Sequence, residues 1–229
     1  MFYLKMAWRN IFRNRKRTFL TGLIIGIGLA SIMFTDAIVL GMKQNMIESV
    51  TSSFLGEAQI HFEGFQEDFD SRKTVKNRTE LIAGLQADPA VRHITERTAS
   101  FGAISSPSGI NSIMLYGIDP EGERAISKID EAIIEGTYFT ESEASGDIRE
   151  GILIGTKLAE RLEVGLGDRI VLSLTNADTN ELSQNMFRIA GIYSMQIKEM
   201  DASMAFIPIS KAQEMLGLDK EVHEIAVSF

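Results

Sequence analysis

Apolar residues are spaced in three different ways along this chain. Thr18–Leu40, TFLTGLIIGIGLASIMFTDAIVL, is apolar on every face, and no charge occurs from Thr18 to Thr35. As a helix those 18 residues span about 27 Å, close to the roughly 30 Å hydrocarbon core of a bilayer. From Met42 the apolar residues recur at helical spacing. Met42, Met46, Val50 and Phe54 stand four apart, with Lys43, Gln44, Asn45 and Glu48 on other faces. The pattern predicts a stalk, an amphipathic helix that continues the membrane helix to about Leu55 and ends at Gly56. The other reading is a separate helix after a break at Gly41.

Beyond Gly56 short strand-like runs alternate with short helical ones. Strands are predicted at Ala58–Glu63, Val91–Ser105, Ile110–Ile118, Ile152–Ile154, Arg169–Thr175, Met186–Tyr193, Met204–Ile207 and Val222–Phe229. Helices are predicted at Thr79–Ala87, with Thr79 as N-cap, at Thr156–Leu162, and at Lys211–Leu216, capped by Ser210 and ended by Gly217. Pro120–Ile126 reads as a helical turn after Asp119. Ser106-Pro107-Ser108-Gly109 and Asn176–Asn180 read as turns. The order, βαβββαβββαβ or close to it, defines an α+β domain rather than a regular βαβα array.

Charge separates the two regions. Lys5, Arg9, Arg13, Arg15, Lys16 and Arg17 precede the apolar run, and the first acid is Asp36. Residues 41–229 hold the remaining 17 bases and 30 acids, a net −13. A positive flank stays in the cytoplasm, so the N-terminus is expected inside and everything after Leu40 outside. A cleaved signal peptide has a shorter apolar core. Gly28-Leu29-Ala30 imitates its cleavage site, but the run continues through Phe34. A soluble core helix seldom runs so far without a charged face. Residues 3–13 place Leu4, Ala7, Trp8, Ile11 and Phe12 on one helical face with Lys5, Arg9 and Arg13 off it. This reads as an interfacial helix with Trp8 at headgroup level, the alternative being a disordered basic tail. Gly22, Gly26 and Ala30 recur every four residues and form a smooth stripe that a second helix can approach closely. Asp36 reads as an interfacial, solvated acid.

Catalytic and metal-binding chemistry has no support here. The chain has no Cys, and no basic stripe for nucleic acid. Gly151-Ile152-Leu153-Ile154-Gly155-Thr156-Lys157 is one residue short of a phosphate loop and has Leu158 at the hydroxyl position. His61, His93 and His223 have no ligand spacing. Glu141/Glu143 and Glu221/Glu224 read as solvated surface. No cofactor and no catalytic residue is expected.

Several segments together resemble permease subunits of the MacB/LolC–LolE/FtsX superfamily of ABC transporters. Ala7-Trp8-Arg9-Asn10-Ile11-Phe12-Arg13-Asn14-Arg15-Lys16-Arg17-Thr18 is similar to their entry into the first membrane helix. Ile134-Glu135-Gly136-Thr137-Tyr138-Phe139 resembles an I-x-G-R-x-F stretch, with Thr137 where Arg is usual. Gly151–Ala159 and Leu162–Asp168 resemble a strand–helix block ending in Gly-Asp. Phe187–Tyr193 and Met204–Gln213 resemble the last two motifs. The resemblance implies a basic segment 1–17, a membrane helix 18–40, a stalk 41–56 and an extracytoplasmic domain 57–229. A porter-like part of that domain would be interrupted by a smaller insertion near 118–194. It also implies a cytoplasmic ATPase partner, a second permease subunit (the same chain or a different one), contact with membrane lipids, and a lipoprotein or another periplasmic partner. Relatives carry three more membrane helices after this domain, so the sequence reads as a piece of a longer bacterial inner-membrane permease. Lipoprotein release or substrate export is the expected activity. The alternative is an FtsX-like signalling protein or a single-pass sensor.

Overall fold

The computed structural model describes residues 6, 8, 9, 13–50, 54–139 and 151–229, with 44–50 as backbone only. The chain divides into two compact units, Met1–Ser49 and Val50–Phe229. The first is dominated by α1 (Arg15–Val50), 36 residues long, which runs through Gly41 without a break. Arg15–Lys43 is long and apolar enough to cross a membrane, and nothing covers its side chains. Two hydroxyls in the run are satisfied from within the helix. Thr21 Oγ1 donates to Arg17 O and Thr35 Oγ1 to Ser31 O, each at 2.9 Å, as an apolar solvent requires. The interfacial helix expected over 3–13 lies largely outside the described residues.

The second unit is one mixed sheet of nine strands among the described residues. β1 is Ala58–His61, β2 His93–Ser106 and β3 Gly109–Ile118. β4 is Ile133–Gly136, β5 Gly151–Gly155 and β6 Arg169–Thr175. β7 is Leu182–Tyr193, β8 Met204–Pro208 and β9 Glu224–Ser228. Hydrogen bonding runs β2–β3–β8–β5–β7–β6 and returns to β2, so six strands close into a ring. Closure leaves those strands without a free edge. The pairs β3–β8 and β5–β7 are parallel; the others are antiparallel. β2 makes closure possible by changing partners along one edge. Its start pairs β9 from His93 to Arg97, and its end pairs β6 from Gly102 to Ser105. β1 extends the sheet beyond β9, and β4 lies against β7 across a bulge.

Inward-facing apolar residues of the ring, including Ile104, Ile113, Leu172, Phe187 and Ala205, pack with two helices. These are α5 (Thr156–Leu162), through Leu158 and Leu162, and α7 (Ile209–Leu216), through Ala212 and Met215. A second, aromatic cluster gathers Phe54, Phe65, Tyr116, Tyr193 and Phe206. A third joins Val222, Ile225 and Val227 to Leu81, Ile82 and Leu85 of α3 (Arg78–Ala87). Three more helices are short: α2 (Phe65–Asp68), α4 (Pro120–Arg124) and α6 (Lys198–Ser203).

Most expected elements occur within a residue or two, with three additions and two corrections. β4, α2 and α6 carry too few residues for a period to show. α3 is not capped by Thr79. Asn77 holds the N-cap position in a left-handed conformation without a side-chain bond, and Arg78 starts the helix through an ion pair with Glu96 of β2. Ser210 does not cap α7 either. Pro208 precedes the helix, which starts at Ile209, and the fixed φ of proline sets the turn instead. Asp119 does cap α4, accepting from Gly122 N at 3.2 Å. The segment 151–162 is the strand–turn–helix expected there. A side chain at Gly155 would lie 2.3 Å from Asp201 O, so α6 can cross only a glycine. At Gly191 a Cβ would meet Thr137 O at 2.8 Å.

Candidate functional site: a buried arginine junction

The chain enters the outer domain through Phe54 and Leu55, whose backbone is π-helical. A helix end leaves carbonyls to be satisfied from outside it; here a buried arginine reaches both, and Gln59 Nε2 also donates to Leu55 O, at 3.0 Å. Arg97 stands on β2 at the last residue paired with β9, opposite both Ile118 of β3 and Glu224 of β9. Its Nη2 donates to Phe54 O at 2.5 Å and its Nη1 to Leu55 O at 3.5 Å. Nε and Nη2 together bind both oxygens of Glu123, on α4, at 2.9 and 2.7 Å. Nη1 also donates to Glu224 Oε1 at 2.7 Å. All five guanidinium N–H groups are therefore used. The guanidinium lies 4.0 Å from the centre of the Phe54 ring, and that ring meets Tyr116 and Phe206 edge-on at 4.6 and 5.2 Å.

Arg97 and Glu123 are fully buried and Glu224 nearly so. Burial works against the Arg97 charge, but Glu123 and then Glu224 more than offset it and hold the guanidinium above its ordinary pKa. Burial pushes the Glu224 carboxyl up, and Arg97 opposes without cancelling it. One guanidinium shared between two carboxylates accounts for that outcome. The arrangement has no nucleophile, no activated acid–base pair and no metal cluster among the described residues. Its chemistry is mechanical: one cation ties β2, α4, β9 and the entering turn together.

A second buried node lies nearby. His223 Nδ1 accepts from Ala99 N at 3.0 Å, which leaves Nε2–H to donate to Ser71 O at 2.9 Å. Its ring stacks on Phe65 at 4.9 Å. It pins the 64–76 loop to the sheet.

Glu224 is thus not solvated surface. It begins β9 opposite Arg97, and that cross-strand partner, not any local pattern, puts its carboxylate inside. Glu221 is exposed and accepts from Thr74 Oγ1 at 2.8 Å, while Glu141 and Glu143 lie outside the described residues. Of the stalk residues, Phe54 is buried in the domain and Met42 is exposed; the side chains of Met46 and Val50 lie outside the described set. Gly22, Gly26 and Ala30 lie exposed on α1, with open space around the two glycines. Trp8, Arg9, Arg13, Arg15, Lys16 and Arg17 are exposed. Sequence reasoning does not single out Arg97, Glu123 or Glu224: Arg97 follows Glu96 in a strand that also carries Thr95, Thr98 and Ser100, so no local signal marks it as buried.

Residues 18–229 match the family model of the MacB-like periplasmic core domain. The pyoverdine export ATP-binding/permease protein PvdT of Pseudomonas syringae pv. tomato is 28% identical over 73% of this chain and 24% of its own length. The lipoprotein-releasing system transmembrane protein LolE of Haemophilus influenzae is 22% identical over 62% of this chain and 34% of its own. The chain thus spans about a quarter and a third of these two relatives. In fold it is similar to the extracellular domain of the noncanonic ABC-type transporter YknZ from Gram-positive bacteria. The TM-score is 0.50 at 16% identity, over 74% of this chain and 80% of that one. The periplasmic region of MacB from Actinobacillus actinomycetemcomitans also scores 0.50, at 14% identity over 74% and 72%.

Proposed function

Because the chain belongs to the MacB-like periplasmic core domain family, we propose that it is the membrane-helix and outer-domain part of an ABC transporter permease serving export or lipoprotein release. In this reading 1–17 stays at the cytoplasmic face of a bacterial inner membrane. Residues 18–40 cross it, 41–56 form the stalk, and 57–229 work outside with an inserted part near 118–194. A separate cytoplasmic subunit hydrolyses ATP. A second permease subunit packs along Gly22, Gly26 and Ala30, and the stalk face at Met42, Met46, Val50 and Phe54 packs as the helices move. The basic residues with Trp8 hold the inner surface against lipid headgroups. The cargo is a lipoprotein or another exported molecule handled on the outer side.

The observation that carries this reading is the grip of Arg97 on the Phe54 and Leu55 carbonyls. A displacement reaching the domain along the chain at that turn passes at once to β2, α4 and β9. A flexible linker would dissipate it; a buried, fully bonded cation does not.

The test is to purify the full-length gene product from membranes and assay ATPase activity on whatever accompanies it. A bound ATPase whose turnover depends on this subunit supports the reading. A protein that comes out alone overturns it and leaves an anchored sensor or binding domain. Arg97→Lys, which keeps the charge but cannot reach all its acceptors, should retain the ATPase and lose cargo release.

A further inference from the structure

The outward face of β3, β2, β6 and β7 is free of charge over three successive cross-strand rows. Ile110, Ser105, Val171 and Met186 stand side by side in the first. Ser112, Ala103, Ser173 and Gln184 form the second. Met114 and Phe101, level with Thr175 and Leu182, form the third, where Met114 is half-buried against the aromatic cluster and Phe69 meets the Phe101 ring edge-on at 5.3 Å. The alternate residues of these strands face the core, whereas Phe101, Ile110, Leu182 and Met186 are 59%, 75%, 65% and 56% exposed. A chain with 24% charged residues and a net −8 would not be expected to leave such a face free of charge by accident of composition. The flanks of the face differ in sign. Beyond the first row Arg169 stands opposite Arg188, both exposed. Beyond the third row the β6–β7 turn exposes Asp178 and Glu181.

We propose that a second copy of this chain docks on this face, about a two-fold axis that lies in the interface and runs across the strands through the Ser112–Gln184 row. Such an axis sets each strand against its own copy in reverse. Ile110 then meets the partner's Met114, and Met186 meets the partner's Leu182. Arg169 and Arg188 reach the partner's acidic turn, and the partner's arginines reach this one. The same patch serves both subunits, as an isologous contact requires. Two acidic chains otherwise repel; here the apolar rows meet without burying a charge, and the flanks attract. An axis along the strands is disfavoured by the same logic, because it would set Arg169 and Arg188 against the partner's uncharged turn between β2 and β3 and forgo that attraction.

From strand spacing and rise the face covers on the order of 300–500 Å² per copy, below the roughly 800 Å² of a free-standing interface. The contact is therefore expected to need both copies held at high local concentration, which an anchoring helix in one membrane provides. The inference deepens the second-subunit part of the proposed function and fixes that partner as the same chain.

The chain has no cysteine, so each introduced thiol is unique. The full chain, in membranes, is treated with a short bis-maleimide. Gln184→Cys, on the axis, should give a dimer by itself. Met186→Cys and Leu182→Cys should give almost none alone but a mixed dimer when differently tagged copies are co-expressed. Glu160→Cys, exposed on α5, should give none. Arg188→Glu should lower the Gln184→Cys yield several-fold, and adding Glu181→Arg should restore it. Absence of the Gln184→Cys dimer, self-linking at positions 182 and 186, or an adduct with a different protein would each overturn the proposal. If an ATPase still accompanies the chain in such a case, the permease reading survives and only the docking face is lost.

Discussion

Helix α1 and the outer domain place their polar groups in opposite ways. Along α1 the exposed side chains are large and apolar, Phe19, Ile24, Ile32 and Phe34 among them. Inside the outer domain the most covered groups include an arginine and two glutamates. Exposure alone would therefore misjudge both regions. What they share is internal satisfaction: α1 bonds its hydroxyls to its own carbonyls, and the domain bonds its cation to its own carboxylates and chain. The first arrangement suits a lipid solvent. The second gives up desolvation energy in exchange for a single fixed geometry at the entrance to the domain.

The largest break in that contrast comes from removing the cation alone. Arg97→Met leaves Glu123 and Glu224 buried without a counter-charge, which should cost about 3–5 kcal/mol. The accompanying change of Glu123 and Glu224 to Gln should recover part of the loss, because no charge then remains buried. Chemical denaturation of the two variants measures both. If Arg97→Met melted like the parent, the junction would be incidental to the fold.

Next comes Gly155→Ala. The added Cβ would sit 2.3 Å from Asp201 O, a backbone atom that cannot swing aside. Overpacking of this kind costs about 1–3 kcal/mol. Gly84→Ala, in α3 with open space around it, is the control and should be neutral or slightly stabilising. Equal melting of the two variants would mean that α6 can shift away from β5.

The contrast between these regions also explains what the sequence could reveal. α5 and β6 have the expected limits, Thr156–Leu162 and Arg169–Thr175, because each has a clear period and a turn signal at its end. α1 was legible from composition. The closing of the ring was not, since β6 pairs with β2 across some 70 residues of chain and no local pattern records it. The junction was hidden for the same reason. Arg97 lies 26 residues from Glu123 and 127 from Glu224, and each residue taken alone resembles a surface charge.

Acid should probe the second buried node. Burial pushes the His223 imidazole below its ordinary value of 6.5, opposed by its bond to Ser71 O and by the Glu221 and Asp70 charges. The unfolded chain therefore takes up a proton that the folded chain refuses. Stability should fall as pH drops below about 6.5, by at most about 1.4 kcal/mol per pH unit. Glu224 acts in the opposite sense. Its folded carboxyl is raised above 4.5, so the folded state protonates first and gains relative stability as pH falls through that raised value. Denaturation between about pH 7.5 and 5.5, in the window where histidine titrates, should show the loss in the parent and a flatter profile in His223→Gln. Parallel profiles would assign the acid response to another group.

The smallest effect on the fold, and the one that separates the two regions most cleanly, is expected from Gly26→Leu. No atom lies within 4 Å of a Cβ at Gly26, and leucine is the better helix former by somewhat under 1 kcal/mol. Neither α1 nor the outer domain should lose stability. If Gly22, Gly26 and Ala30 are where another helix approaches, however, the new side chain holds the two backbones apart, and close packing of small residues is what drives association in lipid. Recovery of the permease partner from membranes should then fall while the denaturation profile of the outer domain stays unchanged. Unchanged recovery would remove the small-residue stripe as a packing face, and a changed profile would mean that α1 and the domain are not energetically independent.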